Sequence, residues 1–301
     1  MRTASPTAAQ RQHLTLRPLN WWRLTIRFAR VRPLSALGGI VILVLLVVAA
    51  GAPVLAPYDP VTINLAVRLQ PPSDGYPLGT DQLGRDILSR ILFGSQVSLY
   101  VGVFATLFGV GIGTMTGIVS GYFGGAFDTA VQRVMDVLQA FPLIILAVAL
   151  VVALGSSVNN VVIALAVALI PTTNRVIRSA VLGLRERAFV EAARAMGADN
   201  LRIMVRHILP NVLAPAIILV SIDLGLAILV ESSLSFLGLG PPPPTATWGS
   251  MLGQDARANF ARQPWLAIAP GVAITLTVLG LNLLGDGLRD ELDPSLRGQG
   301  H

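Results

Sequence analysis

Residues 34–56 read LSALGGIVILVLLVVAAGAPVLA, without a single charge. Crossing ~30 Å of hydrocarbon takes ~20 apolar residues of helix. Within lipid, every backbone N–H and C=O must find its partner inside its own segment, so such a run is a helix. Ala49-Ala50-Gly51-Ala52 puts small residues near its end, as in a cleaved secretion signal. The run is too long for the apolar part of such a signal, however, and its polar leader is too long as well. It reads as a first membrane span. Comparable runs follow near 95–120, 129–154, 159–178, 211–236 and 266–288. The expectation is an all-α polytopic membrane protein with six transmembrane helices, its membrane domain covering 34–288. Phe141-Pro142 should kink the third span, and Pro171 and Asn174 interrupt the end of the fourth.

Composition agrees. Only 13% of the 301 residues are charged, with a mean hydropathy of +0.68, against about 25% charged residues in a soluble domain. The absence of cysteine excludes disulfides, iron–sulfur clusters and thiolate zinc sites. All 22 basic residues are arginine. Without lysine there is no Gly-Lys-Ser/Thr phosphate loop, so the chain is not expected to hydrolyse ATP itself. His13, His207 and His301 are far apart and form no H-E-x-x-H pattern. The chain is expected to bind no metal or cofactor and to be no enzyme.

Arginine placement sets the topology. Residues 1–33 hold seven arginines and no acid, 174–210 hold seven, the tail 289–301 holds two, and Arg133 falls on the same side. The opposite side has five: Arg68, Arg85, Arg90, Arg257 and Arg262. The positive-inside rule therefore puts both termini in the cytoplasm. The net charge of +6 is a topology signal rather than a nucleic-acid footprint. Residues 21–32, WWRLTIRFARVR, suit an interfacial segment in the N-terminal tail, with Trp21 and Trp22 at headgroup level.

The second span carries Ala105, Gly109, Gly113, Gly117 and Gly121, four apart on one helical face. Such a ladder lets another helix pack at close range, and a leucine at Gly113 should disrupt assembly. The fragment at 111–117 has neither the spacing nor the preceding strand of a dinucleotide-binding loop.

The most informative loop is 181–210, ending in EAARAMGADNLRIMVRHILP (191–210). Val190, Ala193 and Gly197 fall on one stripe, with Ala192 and Met196 on the next, and small residues there allow close approach to another surface. Gly197 supplies a break with positive φ. Asp199 or Asn200 can cap the next helix. Arg202, Arg206 and His207 line that helix, and Pro210 starts the fifth span.

Glu191-Ala192-Ala193, Gly197 and Leu209-Pro210 resemble the EAA loop of ABC importer permeases, E-A-A-x3-G-x9-I-x-L-P; His207 stands in place of the isoleucine, beside Ile208. Further segments resemble the C-type permease of dipeptide and oligopeptide importers. These are Ala56-Pro57-Tyr58-Asp59-Pro60, Leu78-Gly79-Thr80-Asp81 with Gly84-Arg85-Asp86, Asp128…Arg133…Asp136 with Phe141-Pro142, and ESSLSFLGLG (231–240) with Trp248-Gly249. One departure is Tyr76, where a histidine often stands. The resemblance implies a type I ABC importer transmembrane domain, like that of methionine permeases, in a prokaryotic plasma membrane. It implies a companion B-type permease, two ATP-binding subunits carrying ATP and magnesium, and an extracytoplasmic solute-binding protein. Glu191, Ala192, Ala193, Gly197, Leu209 and Pro210 would then couple the pore to the ATPases. Gly197→Pro or Glu191→Arg should leave insertion intact and abolish transport. The cargo stays open among peptides, glutathione, nickel complexes and sugars.

Asp223 and Glu231 lie eight apart within the fifth span, on one face. A charge at mid-bilayer costs ~2.5–3.5 kcal/mol on insertion scales, so both are candidates for a translocation path. Glu231 has a second reading, as a solvated residue near the outer interface that caps a structural turn before Ser235-Phe236. Paired carboxylates would also suit an ion-coupled transporter, but no second, related half is visible.

Overall fold

The computed structural model describes residues 30–292. The tails at 1–29 and 293–301, with Trp21 and Trp22, lie outside the described residues. Eleven helices are used below. They are α1 (Pro33–Leu55), α2 (Ile87–Phe123), α3 (Gly125–Gln139), α4 (Leu143–Leu154), α5 (Val158–Leu184), α6 (Ala188–Ala195), α7 (Asn200–Ile203), α8 (Leu209–Phe236), α9 (Trp248–Met251), α10 (Gln254–Asn259) and α11 (Trp265–Leu292). No strand forms among the described residues beyond a single Thr80–Asp86 bridge. Among the described residues, five helical segments are long and apolar enough to cross a membrane, and α3 with α4 makes a sixth if that bent pair is one span.

That pair corrects the third expected span. It is two helices meeting at 90°, not one kinked helix. Pro142 has no N–H to give and sits at the N-cap of α4, so the helical ladder stops at Gln139 and restarts at Leu143. By contrast, Pro171 and Asn174 do not end α5, which runs on to Leu184. Asn174 is buried and bonds Thr116 and Gln132, so its polar group is satisfied inside the bundle.

Helix α2 has 37 residues and starts well before its apolar run. Its polar first turn is held by the loop between α1 and α2. Asp86 caps it by accepting from the Ser89 backbone N–H at 2.8 Å. Arg90, buried, reaches Asp81 at 3.6 Å and donates to the Pro60 carbonyl at 3.2 Å. In the same loop Tyr76 stacks on Tyr58 at 4.9 Å.

The glycine ladder lies against α5 of the same chain. A Cβ at Gly109, Gly113, Gly117 or Gly121 would come within 2.6–3.1 Å of Leu169, Thr173, Ile177 or Val181 respectively. Each step of four on α2 meets a step of four on α5, so the two helices run parallel with fixed register. The close approach expected from the small residues is therefore internal to the chain and builds its central seam.

The remaining long helices close around this pair. Gly38 of α1 packs against the Gly280 carbonyl of α11, and Arg32 pairs with Asp290 at the same end. The start of the first span and the end of the last thus share one end of the bundle. At the opposite end, Trp248 is buried and donates its indole N–H to the Ile91 carbonyl at 3.0 Å, tying α9 to α2.

Candidate coupling surface and the charges in the bundle

The 181–210 loop folds as a helical hairpin. Helix α6 ends in a Schellman turn: Ala198 N–H bonds the Ala193 carbonyl at 3.0 Å and Gly197 N–H bonds the Arg194 carbonyl at 2.9 Å. This needs a left-handed residue, and Gly197 has φ +82°. Asp199 holds the N-cap position of α7, but neither it nor Asn200 caps with its side chain. The Asn200 side chain instead accepts from the Tyr122 hydroxyl at 2.8 Å.

Pro210 does not begin a new span. Residues 200–236 form one continuous helical segment, passing through a π turn at Met204–Ile208 in which Leu209 N–H reaches back to the Met204 carbonyl. The wider turn passes the chain into Pro210, which has no N–H to continue an i→i−4 ladder. At 1.5 Å per residue these 37 residues make a rod about 55 Å long.

The inner face of the hairpin is anchored. Val190, Ala193, Ile203 and Ile208 are buried with Ile118 and Tyr122 of α2, Ile177 and Val181 of α5, and Val212 of α8. Burying an aliphatic side chain contributes ~1.5–3 kcal/mol, so Val190, Ile203 and Ile208 together hold the hairpin firmly. The guanidinium of Arg194 lies 5.3 Å over the Tyr122 ring. The stripe of Val190 and Ala193 therefore faces the protein's own core rather than a second surface.

The outward face is a different set. Phe189 is 41% exposed, Met196 81%, Leu201 64% and Val205 54%. Glu191 and Ala192 are exposed too, as are Arg187, Arg194, Arg202 and Arg206 of the same hairpin. An apolar patch rimmed by charge marks an interaction surface for a protein. Sequence reasoning missed Phe189, Leu201 and Val205. Their signal was the helical spacing 189–192–196 and 201–205 on the face opposite the buried positions.

Glu231 is fully buried. Its carboxylate accepts from the hydroxyls of Ser235 at 2.7 Å, Ser98 at 3.2 Å and Ser232 at 3.4 Å. It ties the C-terminal end of α8 to α2 and reaches no surface. Asp223 is 5% exposed, and its Oδ2 has no hydrogen-bond partner. Both carboxylates are buried within this chain.

A third polar centre, between α3 and α5, was invisible as a pair in the sequence. Arg178 grips Asp128 with Nε at 2.6 Å and Nη2 at 2.5 Å. Gln132 bridges from Asp128 to Asn174, and Asn174 donates to Thr116 on α2 at 2.9 Å. Such bidentate pairs are short and geometrically specific. Among the described residues, no group of three or more His, Cys, Asp or Glu could hold a metal.

Comparison with known proteins fits this geometry. Residues 113–298 match the family described as binding-protein-dependent transport system inner membrane component. Residues 20–72 match the N-terminal transmembrane domain of oligopeptide transport permease C. A Brucella suis protein named as a peptide transport system permease is 41% identical over 297 residues, covering 99% of both chains. The glutathione transport system permease protein of Escherichia coli is 45% identical over 279 residues, covering 92% of this chain and 91% of its own. The fold is similar to a chain of the methionine ABC transporter in an inward-facing conformation. The TM-score there is 0.56 at 19% identity, covering 69% of this chain and 98% of the other. The chain belongs to the inner-membrane permease family of binding-protein-dependent transport systems.

Proposed function

We propose that the chain is one of two permease subunits of a prokaryotic ABC importer for di- and oligopeptides. It sits in the plasma membrane with both termini in the cytoplasm, and binds neither a cofactor nor nucleic acid. A B-type permease completes the pore, two ATP-binding subunits carry ATP and magnesium, and a solute-binding protein delivers cargo from outside. The peptide part rests on the names of the relatives. Glutathione, itself a short peptide, is the second reading, favoured by the Escherichia coli relative.

The observation that carries the coupling role is the split face of the hairpin. One face is locked to the ends of α2, α5 and α8, and the other offers Phe189, Ala192 and Met196 to a partner. An ATPase that seats Glu191, Ala192 and Gly197 in a groove moves α6 when it closes on ATP. The 200–236 rod carries that displacement to its far end, where Glu231 holds it against α2. A stiff element anchored at both ends moves as a body, so a shift at the inner end re-angles the outer end. ATP shifts the equilibrium only through its different affinity for the two states. We assign Glu231 to this anchor rather than to the path.

The test co-expresses all subunits with Met196→Glu in this chain. The variant should insert and pair with its companion permease, yet lose the ATP-binding subunits in detergent. Unchanged retention and transport would remove the coupling role from this face. The cargo is read from the native mass spectrum of the co-purified binding protein. Short peptides are expected, and a metal chelate or a sugar would overturn the peptide part.

A further inference from the structure

The 90° corner between α3 and α4 leaves α5 covered along part of its length only. Toward Val158, Ala147 and Val151 of α4 are buried against Val161 and Leu165 of α5. Past the corner, Thr172, Arg175, Ser179 and Gly183 of α5 are exposed. Spaced three or four apart, they form one helical face. Helix α3 runs beside that face with its polar side turned to it. Gln139 donates its amide to the Thr172 hydroxyl at 3.4 Å, and Asp136 accepts from Arg175 at 3.1 Å. The apolar Phe127, Val134 and Val137 lie on the opposite side of α3. Helix α5 has 27 residues, about 40 Å of helix. Thr172 stands near its middle, about 21 Å from Val158 and 18 Å from Leu184. The polar strip thus runs from mid-span to the end that carries the hairpin. Neither member of its ion pair is buried: the side chains of Arg175 and Asp136 are 56% and 51% exposed. In a membrane segment, charged side chains are expensive against lipid and face protein or water instead. An arginine can carry its charge to the interface along its stem, but an aspartate, with one methylene, cannot.

We propose that this strip is one wall of a water-filled passage that carries hydrophilic cargo between mid-membrane and the hairpin end. Gln139 and Thr172 mark the place where α4 closes over α5 and the passage narrows. The amide, the hydroxyl and the ion pair present donors and acceptors in turn, which stand in for the water that a polar solute sheds. The inference rests on the permease reading above, and not on which polar solute is carried. On the topology proposed there, the strip belongs to the cytoplasmic half of the path. It moves the path from Asp223 and Glu231, both buried within the chain, to α3 and α5.

The chain has no native cysteine, so the strip can be probed one position at a time. Thr172→Cys, Ser179→Cys and Ile163→Cys are introduced separately in the assembled transporter in liposomes. Ile163, 50% exposed on the other side of α5, is the lipid control. Glu186→Cys, its side chain 76% exposed beside the hairpin, reports which side a vesicle presents. Labelling of this chain by a membrane-impermeant, trimethylammonium-bearing methanethiosulfonate is read by mass spectrometry, without nucleotide and during ATP turnover. From the side that labels Glu186→Cys, Thr172→Cys and Ser179→Cys should react roughly ten-fold or more faster than Ile163→Cys, because a thiol against hydrocarbon stays protonated and unreactive. Thr172→Trp should cut ATP-driven uptake several-fold while the ATP-binding subunits stay attached, and Thr172→Val, close in size to threonine, should retain more. Rates at Thr172→Cys and Ser179→Cys as low as at Ile163→Cys in both conditions put the strip against lipid or inside a subunit contact and overturn the passage. Fast labelling with uptake untouched by Thr172→Trp overturns the cargo route. Fast labelling in a parent transporter that shows no ATP-driven uptake of any solute faults the importer reading instead and leaves the aqueous wall standing.

Discussion

Gly113→Ala tests the central seam of the molecule. A Cβ there would stand 2.6 Å from Thr173 Cβ and 2.9 Å from the Ile170 carbonyl oxygen. Carbon atoms in ordinary contact sit ~3.5–4.0 Å apart, so the two helices must part by about 1 Å at this crossing. A backbone carbonyl on α5 cannot swing aside like the tip of a long side chain. Because Gly109, Gly117 and Gly121 are equally close to α5, the gap spreads along the whole seam. Overpacking of this kind costs ~1–3 kcal/mol, while alanine returns ~0.8–1.0 kcal/mol of helix propensity. The net loss is about 0–2 kcal/mol. Gly111→Ala is the control, since nothing lies within 4 Å of a Cβ there. It carries the same propensity gain without the clash, so the difference between the two variants isolates the ~1–3 kcal/mol packing effect. Thermal unfolding of the two purified transporters in the same detergent measures it, with Gly113→Ala melting lower. If Gly113→Ala melts at or above Gly111→Ala, the intrachain seam is wrong. Gly113→Leu should prevent this chain from folding, and a normal permease pair containing it would refute the seam equally.

Three further outcomes are expected. Gly197→Val forces a side chain into a left-handed conformation at ~1–2 kcal/mol, in open space where nothing clashes. It should insert normally and lose transport, with Gly197→Asn retaining more, and transport by the valine variant at the wild-type rate would sink the coupling turn. Arg178→Gln leaves the carboxylate of Asp128 without its grip and should lower stability by ~1–3 kcal/mol. Adding Asp128→Asn should recover part of that in melting curves, and simple additivity of the two losses would show that they do not act as a pair. Glu231→Leu takes the acceptor from three serine hydroxyls at about 1–3 kcal/mol for each group left unsatisfied; Glu231→Gln, keeping an acceptor, should melt higher than the leucine variant, and equal melting would mean that the serines do not depend on it.

The anchored hairpin bears on how force enters the bundle. Its exposed Phe189 and Met196 flank a short helix closed by Gly197, but its buried residues reach three long helices at once. A load applied at Met196 is therefore shared between α2, α5 and α8 instead of bending a loop. The Asp128–Arg178 pair and its amide extensions brace α3 against α5 and α2. Polar networks of this type are stable only when every member is satisfied, which makes them sensitive to a single substitution.

What the sequence determined by itself is what short-range physics controls. Hydropathy runs placed the spans because lipid demands apolar side chains and internally paired backbone over any 20-residue window. The distribution of arginine indicated an orientation because charge acts locally at each membrane surface. Gly197 was legible as a positive-φ break because only glycine enters that conformation without cost. The break at Phe141-Pro142 was legible as a location, but its 90° angle was not. Tertiary structure alone decided which faces meet. It turned the glycine ladder onto α5 of the same chain, buried Val190 and Ala193 inward, and left Phe189 and Met196 outward. It also joined Asp128 to Arg178 across 50 residues and enclosed Glu231 among serines from two helices. A helix with small or apolar residues on several faces carries no record of which face is taken. That choice is made by close packing between segments far apart in the chain, where a misfit of one methyl group costs as much as a local preference supplies.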